Sequence, residues 1–295
     1  MKKLFVFIFM LSLSISLLAY SFFNPIGPAL LPAAGLYSEN TTDLTKDYWR
    51  TLDEAQILAL KQQADFLVLP VAYGAELISK GFEYKLAGVS IWKSFYLVTS
   101  QEVNSIEDLR GKRIVTIHSP GQTGDLILKM ITKQKNINFE TVYVSSGADI
   151  IQLLATGKET MAVLPEPFVS LAEVKTKNVF TAKMDLQQVY AQLTGYPAMI
   201  PITGLFVSNK VPREYAQKII DRYEQSSNKY FKDEFDKSIK FMFDLMDGKM
   251  PDPVLRKASQ RSFIEFGKDK EIVLGFLKIL KENGAISDYK QDMFF

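Results

Sequence analysis

Residues 114–129 read IVTIHSPGQTGDLILK, an apolar run followed by a glycine-containing turn and a second, periodic segment. The apolar run is typical of a buried strand, and the segment from residue 122 has the spacing of a helix. A strand that leads into a helix through such a turn directs the unpaired N–H groups of the first helical turn towards open space. We therefore predict a strand at 113–117, a helix at 122–134 and ligand contacts at the turn between them, from Gly121, Gln122, Thr123 and Gly124. In the alternative interpretation, these residues only cap the helix.

The same order of elements continues along the chain, with strands predicted at 140–145 and 160–164 and helices at 148–156 and 167–176. Such alternation indicates a parallel sheet with helices on its faces. The segments on either side lack full partners of their own, so we expect them to combine. We assign 22–98 and 206–295 to a discontinuous lobe 1 and 99–205 to an inserted lobe 2. The extended runs near 94–99 and 200–207 would cross between the lobes and form a hinge beside a cleft.

The N-terminus has the features of an export signal. Lys2 and Lys3 precede an apolar run from residue 4 to 19, and small residues stand at Ala19 and Ser21. We expect a signal peptide at 1–21, cleaved near Ser21, and hence a periplasmic or cell-surface protein. The alternative is an uncleaved anchor, but the run of about 16 residues is short for a membrane span of about 20.

The amino-acid composition excludes several kinds of functional site. The 295 residues include no cysteine, which excludes disulfides, thiolate metal sites, cysteine nucleophiles and a lipid-anchored cysteine. The chain has 35 basic residues, two of which are Lys2 and Lys3. The other 33 equal the 33 acidic residues in number, so the charge of the chain predicts no nucleic-acid partner. The single histidine, His118, makes a poor metal site. We expect no catalytic residue, no metal and no cofactor.

Several short motifs resemble those of the substrate-binding proteins of ABC importers, in the branch associated with sulfonates, nitrate and thiamine precursors. They are DLRGK at 108–112, AVLPEPF at 162–168 after Gly157-Lys158, ADFLVLP at 64–70, and Gly27-Pro28-Ala29. The resemblance covers most of the chain beyond the signal. It implies an α/β, two-lobed type II periplasmic-binding-protein fold, each lobe a mostly parallel sheet flanked by helices, with a two-strand hinge. It also implies a membrane permease and a cytoplasmic ATPase as partners, and a monomer. The sequence departs from the family pattern at Thr160 and Met161, and its Gly-Pro loop lacks a threonine, so no particular ligand is carried over.

Further candidates for ligand contact are Pro28 and Ala29 in the Gly-Pro loop, Glu166, Tyr73 and Trp92. The Glu166 carboxylate, between two prolines at a strand end, could accept hydrogen bonds from an amine or ring N–H. Alternatively it caps the helix that begins near Pro167. Tyr73 and Trp92 could stack on a planar ligand or belong to the core.

These observations predict a transport binding protein and not an enzyme. The ligand we expect is a small polar organic molecule, for example a heterocycle resembling a thiamine precursor. The alternatives are a sulfonate or similar anion held at the helix start, an enzyme of the same fold that makes the thiamine pyrimidine, and a sensor lobe that docks on a membrane receptor.

Overall fold

The computed structural model describes residues 19–117, 120–245 and 249–295. For Pro28 it describes the backbone only. Most of the predicted signal segment, residues 1–18, and His118 therefore lie outside the described residues. Within the described ranges, no helix is long and apolar enough to cross a membrane.

The first sheet draws its strands from both ends of the chain. In the described residues it has six strands in the order β11-β4-β10-β3-β1-β2. The strands are β1 (Tyr20–Pro25), β2 (Leu44–Trp49), β3 (Phe66–Pro70), β4 (Tyr84–Lys93), β10 (Thr203–Ser208) and β11 (Phe263–Gly267).

The second sheet comes from the middle of the chain. Five strands of the described part of the chain form it, in the order β7-β6-β8-β5-β9. They are β5 (Phe95–Thr99), β6 (Arg113–Ile117), β7 (Glu140–Val144), β8 (Met161–Pro165) and β9 (Thr181–Asp185). The predicted β-α alternation of this segment agrees with these bounds to within one or two residues.

Helices flank both sheets. The helices before β10 are α1 (Ala34–Ser38), α2 (Leu52–Leu60), α3 (Val71–Ser79), α4 (Thr123–Lys135), α5 (Gly147–Ala155), α6 (Phe168–Lys175) and α7 (Leu186–Thr194). Those after β10 are α8 (Arg213–Glu224), α9 (Phe231–Asp233), α10 (Phe235–Leu245), α11 (Asp252–Arg261) and α12 (Lys270–Glu282). Short 3₁₀ segments occupy Pro28–Ala33 and Ile106–Leu109, and a π-helical turn occupies Gln225–Tyr230.

The two-lobed α/β class is confirmed, but both sheets are mixed and not mostly parallel. β1 pairs in parallel with β2 and β3, and β6 pairs in parallel with β7 and β8. The strands that lead into and out of the crossings run antiparallel: β10 against β3 and β4, and β5 against β8 and β9. The sequence patterns predicted no strand at 263–267, where the structure has β11, a short edge strand that pairs with β4.

The first crossing is shorter than predicted, and the second lies about five residues earlier in the chain than predicted. β4 passes into β5 at Ser94, and residues 195–202 return from α7 to β10. The second crossing is hydrogen-bonded to the end of β4, next to the first crossing, since Ile200 N–H donates to the Trp92 carbonyl at 2.8 Å and Ile202 N–H to the Ile91 carbonyl at 2.9 Å. The predicted residue ranges of the lobes stay a prediction. What the strands show is that β5 belongs to the second sheet and β10 to the first.

Candidate ligand-binding cleft

The carboxyl ends of the parallel strands point towards the crossings in both sheets. In the first sheet, Pro70 at the end of β3 pairs with Thr203, the first residue of β10. In the second, Pro165 at the end of β8 pairs with Phe95, the first residue of β5. Ligands of α/β sheets bind outside the carboxyl ends of the strands. The candidate site is therefore the cleft between these two edges.

The loop after β1 carries two of the predicted contacts. Pro28 begins the 3₁₀ segment three residues after the end of this strand, and Ala29, the next residue, is 8% exposed. Tyr73 lies in α3, after β3, and is half-buried. Its hydroxyl donates to Gln56 Oε1 at 3.1 Å, and burial raises the pKa of Tyr73. The Tyr73 phenol is thus linked to α2.

Trp92 is packed inside the protein beside the hinge. Its side chain is 2% exposed, and its indole N–H donates to the backbone carbonyl of Glu265 in β11 at 2.8 Å. A ligand that stacks on an aromatic ring needs an accessible ring face. The environment of Trp92 is that of a core residue, the alternative we gave for it.

The start of α4 lies against the hinge. A Cβ atom added to Gly124 would be 3.2 Å from the Phe95 ring, so this glycine allows the helix to approach the first residue of β5. Thr123 is 4% exposed. Gly121 and Gln122 are half-buried, and Gly121 N–H donates to Asp125 Oδ2 at 2.6 Å. The four predicted residues therefore sit together at the cleft edge of the second sheet.

Glu166 is almost fully enclosed, at 1% exposure. Its carboxylate accepts from the Ser170 N–H and the Ser170 hydroxyl, both at 3.1 Å, and from Arg261 Nη1 at 3.4 Å. Burial raises the pKa of Glu166, against the effect of these hydrogen bonds. The space beside it, lined also by Ser94 and Pro167, measures about 10 Å³, about enough for one water molecule. The observed contacts match the helix-capping alternative and leave no face for a ligand.

A second acidic group, which joins α11 to α6, was not predicted from the sequence. Glu173 of α6 is 2% exposed, and it contacts Arg261 at 2.9 Å and Lys257 at 2.6 Å. Burial acts to raise the pKa of Glu173, but the hydrogen bonds from Arg261 and Lys257 outweigh it and hold the pKa below its usual value. Arg261 therefore bridges Glu166 and Glu173, and connects an α-helix next to the first sheet with one of the second.

Gln187 forms hydrogen bonds with the first crossing, and this role was also not predicted from the sequence. It is fully buried, and its Oε1 accepts the N–H groups of Ser94 at 3.3 Å and Phe95 at 3.0 Å. Its Nε2 donates to the Phe95 carbonyl at 3.0 Å and to Asp185 Oδ1 at 2.7 Å. The helix sequence LQQVYAQLT at 186–194 carries no pattern that could have revealed this role of Gln187.

Across the described ranges, no group of three or more histidine, aspartate or glutamate side chains is placed to hold a metal ion.

Comparison with known proteins supports the fold. No protein-family model and no curated protein matches the chain. Among solved structures, an ABC transporter protein from Parabacteroides distasonis is similar with a TM-score of 0.77 at 21% identity, covering 94% of this chain and 98% of that one. The periplasmic aliphatic sulphonate binding protein SsuA from Escherichia coli is similar with a TM-score of 0.73 at 11% identity, covering 94% and 92%. The chain has the two-lobed periplasmic-binding-protein fold.

Another solved structure with this fold is the ligand-binding component of an ABC-type import system from Staphylococcus aureus, described with zinc bound. Its TM-score is 0.70 at 14% identity, with 94% of this chain and 95% of that one covered. At such identities, the similarity to proteins with the periplasmic-binding-protein fold establishes the architecture alone. The sulphonate and the zinc belong to those proteins.

Proposed function

We propose that the chain is the exported solute-binding component of an ABC importer. It captures a small polar organic ligand in the cleft and delivers it to a permease with a cytoplasmic ATPase. One observation carries this proposal: the carboxyl edges of both sheets meet at two neighbouring crossings, and the second crossing is hydrogen-bonded to the end of β4, which leads into the first. Two such crossings let one lobe rotate over the other, and a ligand that contacts both lobes favours the closed form.

We place the ligand between the loop after β1 and the start of α4. On the first lobe the proposed contacts are Pro28, Ala29 and Tyr73, and on the second the residues from 121 to 124. The ligand we propose for this cleft is a heterocycle resembling a thiamine precursor. Because both oxygens of Glu166 already accept hydrogen bonds, the proposal no longer needs that carboxylate.

A ligand panel tests the proposal. We expect one class among thiamine and its pyrimidine precursors, riboflavin, sulfonates, nitrate and amino acids to raise the melting temperature of the mature protein. A ligand at about 100 times its Kd adds about 2.7 kcal/mol of stability, which is several degrees for a chain of this size. Thr123→Val should weaken the binding of that ligand, whereas Ser146→Ala, at the start of α5, should leave the binding unchanged. No shift across the panel, together with a mass spectrum free of a co-purified small molecule, would contradict the proposal.

The contacts of β1 bear on where the signal peptide is cleaved. The Tyr20 ring stacks on Tyr215 with 4.1 Å between centroids, and Ser21 N–H donates to Asp65 Oδ2 at 2.9 Å, so a cut after Ser21 would remove part of β1. We therefore propose that cleavage occurs before Tyr20. The intact mass of the exported protein should correspond to a chain that retains Tyr20. A chain that begins at Phe22 would show this placement to be wrong.

A further inference from the structure

The first turn of α4 contains a buried carboxylate of its own. The Asp125 side chain is 2% exposed. Its Oδ2 accepts the Gly121 N–H at 2.6 Å and pairs with Lys129 Nζ at 2.8 Å, while its Oδ1 accepts the Tyr143 hydroxyl at 2.7 Å. Burial first, and then the hydrogen bond to Asp125, raises the pKa of Tyr143 to about 12, so this hydroxyl keeps its proton at neutral pH. Both carboxylate oxygens are thus fixed at the helix start.

This arrangement changes what the helix start can bind. The N-terminus of a helix attracts anions because its N–H groups point outward and carry a partial positive charge. Here Asp125 supplies the negative charge from within the chain and uses the N–H of Gly121. An incoming anion would meet a carboxylate of like sign and would lose a donor that is already engaged. Lys129 offsets part of that charge, but its side chain is 48% exposed, so water screens it.

Another carboxylate lies at the same edge of the sheet. Glu166 follows β8, and β8 is the parallel neighbour of β6, which leads into α4. The Glu166 charge is opposed by Arg261, which is 27% exposed. The cleft edge of the second sheet therefore contains two buried acidic groups, each already paired, and the described residues next to them supply no further cation in contact with either carboxylate.

We infer that Asp125 determines specificity, because it makes the start of α4 unfavourable for a sulfonate or similar anion. The group of the ligand that lies there is neutral or cationic. This inference rests on the proposed function and selects between the two ligand classes that the sequence left open.

Calorimetric titration of the mature protein tests the inference. The anionic probes are methanesulfonate, sulfate and nitrate, and the other probes are thiamine and its aminomethyl pyrimidine precursor. We expect the wild-type protein to bind none of the anions at millimolar concentration. Asp125→Asn removes the charge and keeps the shape, and we expect it to bind methanesulfonate at least tenfold more tightly than the wild type does.

The chain offers two matched controls. Asp149 is the third residue of α5, as Asp125 is of α4, so Asp149→Asn makes the same change at the neighbouring helix start. Tyr143→Phe removes a hydrogen bond to Asp125 but leaves its charge. Neither control should gain affinity for methanesulfonate.

Each outcome bears on a separate claim. If the wild-type protein binds an anion more tightly than the neutral and cationic probes, the inference is wrong while the binding-protein proposal stands. If Asp125→Asn is folded by circular dichroism and gains no affinity, Asp125 is not the determinant. If the variant does not fold, the wild-type titration alone decides. If the wild-type protein binds no probe of either class and no wider panel yields a ligand, the proposed function itself fails.

Discussion

Replacing Arg261 by methionine is expected to lower the free energy of unfolding by about 3–5 kcal/mol, the usual cost of removing one partner from a buried ion pair. Its two partners, Glu166 and Glu173, are 1% and 2% exposed. Without the guanidinium, Glu166 keeps only the two hydrogen bonds from Ser170. Urea denaturation at neutral pH measures the change.

Lys257→Met is the matched control on the same helix. Lys257 contacts only Glu173 among these acids, and its side chain is 40% exposed. Because Glu173 keeps Arg261 in this variant, we expect a loss of about 1 kcal/mol or less. Equal losses in the two variants would show that Arg261 does not hold the two acids together.

The pH dependence of the Arg261→Met effect has a definite sign. Burial raises the folded-state pKa of Glu166 above its ordinary value of 4.5, so its contribution to stability is complete below pH 4.5 and is lost as the pH rises through the folded pKa. Loss of Arg261 removes a charge that favours the ionised form of Glu166, so the destabilisation should be smaller near pH 5 than near pH 8.

Glu173 has the opposite pH dependence in the wild type. Its lowered pKa stabilises the protein above pH 4.5, and this contribution is lost as the pH falls through the folded pKa.

Trp92→Ala is expected to cost a similar amount, about 3–5 kcal/mol, because it removes a large buried side chain and leaves a cavity. The melting temperature should fall by about 10 °C. Trp92→Phe keeps most of the ring but leaves the Glu265 carbonyl without its donor, and should cost about 1–2 kcal/mol. Differential scanning calorimetry of both variants measures these losses.

The same variants decide between the two interpretations of Trp92. As a core residue, it should affect stability, and Trp92→Phe should bind the ligand found in the panel with unchanged affinity. A Trp92→Ala protein that melts at the wild-type temperature and binds this ligand poorly would place the ring in the cleft instead.

Local sequence patterns predicted the elements of the middle segment. The glycine turn and the apolar spacing after it define β6 and α4, and both were predicted to within one residue. The sequence TLDE at 51–54 is a helix-capping pattern, and in the structure the Thr51 hydroxyl accepts the Glu54 N–H at 3.1 Å. These features depend on residues three or four positions apart, where backbone geometry and side-chain capping act directly.

Residues of the site that depend on distant partners could not be predicted in the same way. Glu166 and Arg261 are 95 positions apart, Ser94 and Gln187 are 93 apart, and Trp92 and Glu265 are 173 apart. The sequence correctly placed Glu166 at a strand end and an aromatic ring beside the hinge. It could not show that α11 would cover Glu166 or that β11 would enclose Trp92, because no local pattern encodes which remote segment packs against a residue.

The sequence by itself determined the α/β class and the position of the glycine turn, since both follow from periodicity and turn chemistry within a few residues. Tertiary structure alone decided which polar groups at the cleft remain available to a ligand. Glu166 and Asp125 are acidic in the sequence, and only the folded chain brings Arg261 and Tyr143 to their oxygens. Whether a carboxylate can serve a ligand depends on burial and on hydrogen bonds already made, and both are set by packing between remote parts of the chain.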